Sequence, residues 1–199
     1  MITVDEARRY YVGDDRSHDF DHVLRVLRLA ERIGQAEGAD MEVLRAAVLL
    51  HDLAAAVDRE NHHRIAAQKA REILRGHPPE RVEAVAHAIL AHRFRAPPEP
   101  ATLEAQVLFD ADSLDALGAI GIARAYAYGA LQGQRLWAPV PSDYREGEGE
   151  HTPVHEFVIK LSRIKERLYT PTARAIAVER DAFMRAFFAR LEAEVQGIT

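Results

Sequence analysis

A chain of 199 residues, 48% hydrophobic and 29% charged, has the composition of an ordinary soluble globular domain and can bury a core. Its 26 basic and 31 acidic residues leave a net charge of −5, which argues against a nucleic-acid polymer as partner, because that requires a basic face. The absence of cysteine excludes disulfides and fits a cytoplasmic location. No apolar run reaches the ~18 residues of a membrane span, and the first six residues lack the basic region and apolar core of a signal peptide.

The pattern is helical almost throughout. Thr3 and Glu6 form a capping box for a short first helix. A longer helix is predicted from about Asp19 to Glu37, with Val26, Leu29, Ala30 and Ile33 on its apolar face and His22 on the same face, one turn earlier. Asp40 caps the next helix, which is apolar nearly all round, as central helices are, and ends in His51-Asp52. Helices follow from about Asn61 to Leu74 and from Pro78-Pro79 to about Phe94. On the latter, Val82, Val85, Ile89 and His92 recur at helical spacing, so His92 points with the core. A helix is expected through Val107-Leu108-Phe109, a separate one from Leu114 to about Ala130, and a long loop from Gln132 to Thr152 that carries Trp137 and is expected to border a pocket. Pro153 opens a helix with Phe157, Leu161, Ile164 and Leu168 on one face. The last helix runs to about Val195 with Ile176, Phe183, Phe187 and Leu191 as its stripe. The chain therefore reads as all-α, a single domain over 1–199.

The chemistry lies in a spaced series: His22, then His51-Asp52, then the carboxylates of Asp110-Ala111-Asp112-Ser113-Leu114-Asp115. Imidazoles and carboxylates carried on core-facing helices are poor packing residues and good ligands for a divalent metal. Two imidazoles and two carboxylates, from His22, His51, Asp52 and one of Asp110 and Asp112, suit Mn²⁺, Fe²⁺, Co²⁺, Ni²⁺ or Mg²⁺ better than a closed structural zinc site. No phosphate-binding glycine loop is present.

This ordered set resembles the HD-domain superfamily of metal-dependent phosphohydrolases, and in particular a small stand-alone bacterial branch. The matching segments are His22 with Arg25-Val26, Leu49-Leu50-His51-Asp52, and Asp110 through Gly121, followed by Lys160-Leu161, Tyr169-Thr170-Pro171-Thr172 and Ala177-Val178-Glu179-Arg180. The resemblance implies a helical bundle with core metal-site helices over about 19–130 and C-terminal helices over about 153–195 packing on it. It implies metal ligands at His22, His51, Asp52 and Asp112, the last because family members place the ligand in an Ala-Asp-x-Leu context. Asp110, Asp115 and His18 are then groups flanking the ligands, and His62 and His92 are candidates for a second metal or a phosphate contact. His63, His77, His151 and His155 read as surface residues or caps. Lys160, Lys165 and Arg124 are candidates to hold substrate phosphates.

The activity so implied is hydrolysis of a small anionic substrate, a nucleotide or related phosphate ester or anhydride, by metal-activated water, with manganese among the suitable ions. Where related enzymes carry an acid shortly after His-Asp, this chain has Ala54-Ala55-Ala56, and Asp58 is the first candidate general acid. Two alternatives use the same ligands: a diiron HD-domain enzyme that oxidises its substrate with O₂, and a non-catalytic sensing domain that keeps the metal for stability. A cyclic-dinucleotide phosphodiesterase fits less well, because Arg93-Phe94 follows His92 in place of that group's further histidine and Gly-Tyr-Pro signature. Oligomeric state is not encoded in these features.

Overall fold

The computed structural model describes residues 1–11, 20–55, 58, 60–93, 97–147 and 149–198. His18 lies outside the described residues. The fold is all-α: among the described residues the only β pairing is an isolated bridge between Arg75 and His77. The helices are α1 (Val4–Arg8), α2 (Phe20–Glu37), α3 (Met41–Leu50), α4 (His62–Ile73), α5 (Pro79–Leu90), α6 (Leu103–Asp115), α7 (Gly118–Leu131), α8 (Pro153–Ile159) and α9 (Pro171–Val195), with a 3₁₀ helix at Leu161–Arg167. None is long and apolar enough to cross a membrane.

The chain divides into two compact units, Met1–Ser113 with Leu168–Ala173, and Leu114–Arg167 with Arg174–Thr199. In the first unit, α3 packs against α2, α4 and α5, and buries Val43, Leu44, Ala46, Ala47, Val48, Leu49 and Leu50. That burial of both faces is why its sequence is apolar all round. The Leu44 side chain of α3 packs directly onto α2 at Gly34, where a Cβ would lie 2.4 Å from Leu44 Cδ2. Both expected caps form: Thr3 and Glu6 make the capping box of α1, and the Asp40 carboxylate accepts from the Glu42 and Val43 amides of α3. Tyr11 donates to the Leu49 carbonyl (3.0 Å) and packs edge-on against Phe20, so one side chain meets the start of α2 and the end of α3.

Three expectations change. The aspartate cluster does not straddle a break: α6 continues to Asp115, and the chain turns only at 116–117, before Gly118 at φ 73°. A side chain there would be strained by that φ and crowded by Arg180. The helix opened by Pro153 stops at Ile159 and continues as the 3₁₀ turn, yet Phe157, Leu161, Ile164 and Leu168 are all buried as expected. The stripe of α9 is rotated from the expected one. Ile176, Ala177, Asp181, Met184 and Phe188 are buried, whereas Phe183 is 52% exposed and Phe187 only half-buried. The reason is tertiary: in the second unit Phe188 stacks on Phe157 (centroids 4.5 Å apart) and lies beside Tyr126.

Candidate metal centre

Four helix ends and one helix interior in the first unit bring six candidate ligands together. His22 is on the first turn of α2, His51 and Asp52 close α3, His62 opens α4, His92 follows α5, and Asp112 lies on α6. His51 and His92 are placed by the same local device. A helix leaves its last carbonyls without amide partners. The His51 Nδ1–H donates to the Val48 carbonyl (2.7 Å), and the His92 Nδ1–H donates to the Ile89 carbonyl (2.6 Å), each three residues back. A carbonyl only accepts, so Nδ1 carries the proton and, in a neutral ring, Nε2 keeps its lone pair. The expected α5 end near Phe94 is thus corrected: the helix stops at Leu90, and His92 turns back on it.

The six side chains form two groups, His22–His51–Asp112 and Asp52–His62–His92, each able to hold a metal ion. Within the first, His22 Nε2 lies 3.3 Å and His51 Nε2 4.0 Å from Asp112 Oδ1. Asp52 connects the groups. Its Oδ2 is 3.7 Å from His22 Nε2 and 3.8 Å from His51 Nε2, and its Oδ1 is 3.5 Å from His62 Nε2. The His62 and His92 Nε2 atoms are 3.2 Å apart. Donors bound ~2.1 Å from a common centre are themselves ~3–4 Å apart, the spacing seen here. The decisive fit is His51: its Nε2 is buried and has no hydrogen-bond partner, a costly arrangement for an imidazole unless a Lewis acid accepts the lone pair.

The electrostatics suit cation binding. Burial raises the Asp52 carboxyl pKa, but the His51, His22 and His92 rings lower it by more, and the group stays below the ordinary carboxylate value. Burial likewise opposes ionisation of Asp112, and the hydrogen bond and charge of His22, with His51 and His92, hold it well below that value. Burial, reinforced by His51, takes His92 down to about 4, so it is a neutral imidazole at pH 7. Burial and the Asp52 carboxylate push the Tyr11 phenol well above its usual pKa, so Tyr11 is a neutral donor beside the centre.

Several expected roles are revised. Asp110 faces away from Asp112 and anchors the 169–170 turn, accepting from the Tyr169 amide (2.9 Å), the Thr170 amide (2.8 Å) and the Thr170 hydroxyl (2.7 Å). Two residues along a helix are about 200° apart, which separates the two aspartates onto opposite sides. Asp115 pairs with Arg124 (2.8 Å), Lys165 with Asp181 (2.5 Å) and Lys160 with Glu156, all within the second unit. Each of the three candidate phosphate-holding cations already carries a carboxylate partner, which a substrate phosphate would have to share or displace. Asp58 accepts from the Glu60 and Asn61 amides and the Asn61 side chain. Those Asn61 bonds lower its pKa, and a carboxyl held ionised is no general acid at neutral pH. His63 and His155 are buried rather than superficial. His63 is 3% exposed with Nδ1 unpartnered, and His155 Nδ1 is 2.9 Å from the Thr152 hydroxyl. Tyr11 was not legible as a site residue, because its partner is 38 residues away and no local pattern marks it.

An all-α scaffold that gathers His, His-Asp and Asp around a buried imidazole lone pair defines a class, and the chain belongs to the HD-domain superfamily. The HD-domain profile matches residues 19–117. The Bacillus subtilis protein YpgQ is 35% identical over 191 residues, covering 93% of this chain and 88% of YpgQ. The crystal structure of YpgQ in complex with ADP aligns at 30% identity with a TM-score of 0.78, over 99% of this chain and 100% of that one. An HD-superfamily hydrolase from Bacillus thuringiensis aligns at 28% identity with a TM-score of 0.76, over 97% and 94% of the two chains.

Proposed function

We propose that the protein is a metal-dependent phosphohydrolase acting on nucleotides or related phosphate esters and anhydrides. In this reading His22, His51, Asp52 and Asp112 hold one divalent ion, and Asp52, through its other oxygen, with His62 and His92 holds a second. The observation that carries it is the buried, unpartnered His51 Nε2, set 3.8 Å from Asp52 and 4.0 Å from Asp112. Bound there, a divalent ion lowers the pKa of a coordinated water and neutralises charge on a phosphate oxygen. The protein's part is to hold the donors in place. The Val48 and Ile89 carbonyls fix two imidazole tautomers, and Asp52 and Asp112 stay ionised at neutral pH. The mixed nitrogen and oxygen donors favour Mn²⁺, Fe²⁺, Co²⁺, Ni²⁺ or Mg²⁺. The ADP held by YpgQ supports a nucleotide as the ligand class.

The Asp52–His62–His92 group also favours a second reading, a diiron centre that oxidises its substrate with O₂. Elemental analysis of the purified protein, followed by a phosphate- and pyrophosphate-release screen over nucleotides with Mn²⁺, Co²⁺, Ni²⁺, Fe²⁺ and Mg²⁺, tests the first reading. Metal-dependent release that disappears in Asp52→Ala is the expected result. No release with any ion refutes it, and O₂ consumption by iron-loaded protein establishes the second.

A further inference from the structure

The three cations expected to meet substrate phosphates are engaged by carboxylates. A different cation stands beside the metal centre. Arg93 directly follows His92, and its Nη1 donates to the Glu60 carbonyl, two residues before His62. The guanidinium therefore spans the two segments that present His62 and His92, whose Nε2 atoms meet at 3.2 Å.

Two features make this an unusual place for a positive charge. Among the described residues Arg93 has no carboxylate within ion-pair distance, and its one hydrogen bond goes to a neutral carbonyl. The carbonyl it reaches lies just before α4, whose cap residue Asn61 makes no side-chain capping bond. The positive end of a helix dipole disfavours a nearby cation and favours an anion. Asp58 is at this helix start as well, but its carboxylate is turned onto the Glu60 and Asn61 amides. Buried His63, on the same first turn, has an unpartnered Nδ1. The charge of Arg93 is thus held, partly exposed, between the segments that carry His62 and His92, without a counter-ion among the described residues.

We propose that Arg93 is the anchor for a non-reacting anionic group of the substrate, a phosphate next to the one that is hydrolysed. The inference rests on the phosphohydrolase reading and extends it: a polyphosphate fits better than a simple monoester. A guanidinium suits this task because its planar fork meets two phosphate oxygens at once, while its remaining N–H groups keep the Glu60 contact.

The test is equilibrium binding of inorganic pyrophosphate to Mn²⁺-loaded protein by calorimetry, with wild type, Arg93→Gln and Arg93→Lys, and with metal content measured in each. Arg93→Gln is expected to keep its metal and to bind pyrophosphate about tenfold or more weakly, the scale of one charge-assisted contact. Inorganic phosphate, with no second group to anchor, is expected to change less. Arg93→Lys keeps the charge without the fork and is expected to fall between the other two; it also carries the test if the glutamine variant does not fold. Pyrophosphate binding by Arg93→Gln within twofold of wild type overturns the proposal and leaves the phosphohydrolase reading intact. Loss of metal in step with loss of pyrophosphate also overturns it, since Arg93 would then be structural. Absence of pyrophosphate binding by loaded wild-type protein defeats the phosphate-site reading itself.

Discussion

Acidification of the metal-free protein should expose the cost of keeping His63 neutral. His63 is 3% exposed on the first turn of α4, and its Nδ1 has no partner. Burial, followed by the charges of Arg93 and His62, lowers its pKa from 6.5 to about 4. Because the folded value is the lower one, the unfolded chain binds more protons wherever pH lies between the two, and stability must fall as pH drops through that window. Each pH unit well inside the window is worth up to ~1.4 kcal/mol, so lowering pH from 7 to 5 should remove about 2 kcal/mol on account of this one group. His92, also held at about 4, adds a second contribution of the same sign. The carboxylates of Asp52 and Asp112 have lowered values, so the stability they contribute is lost only as pH falls below the ordinary carboxylate range, outside this window. The assay is urea unfolding in the presence of a chelator at pH 7, 6 and 5, for wild type and His63→Leu. The leucine variant should lose about 2 kcal/mol less than wild type over that interval. Parallel pH profiles for the two proteins would refute the reasoning.

Asp110→Ala should cost about 4 kcal/mol of stability, because three hydrogen bonds to a buried carboxylate vanish and two amides lose their partner; urea unfolding measures the loss, and metal affinity of the folded fraction should be unchanged. Asp58→Asn should cost about 1 kcal/mol as a weakened turn, and should leave the pH–rate profile for nucleotide hydrolysis unshifted, which steady-state kinetics across pH 5–9 will show.

Much of this was legible in the chain because helix periodicity is a local property. Direction around a helix axis follows from sequence spacing, so His22 falls with Val26 and Ile33, and the all-apolar run before His51 marks α3 as central. The HD-domain class rests on the same spaced residues. What spacing cannot supply is the partner of each side chain. Asp110 and Asp112 are chemically alike and two residues apart. Spacing put them on opposite sides of one helix, but the 169–170 turn, some sixty residues on, made one an anchor while His22 drew the other into the metal centre. On α9 two apolar stripes satisfy the helical period, and Phe157 and Tyr126 decided which is buried. Lys160, Lys165 and Arg124 read as candidates to hold substrate phosphates, and nothing in their spacing announces that Glu156, Asp181 and Asp115 lie against them. The division of six candidate ligands into two groups, joined by the two oxygens of Asp52, arises where the ends of α3 and α5 meet the start of α4. Residue type and helical spacing mark which side chains could bind a metal and which way most of them point. Which of them meet depends on packing between helices whose contacts are long-range in the chain, and so is set only in the folded molecule.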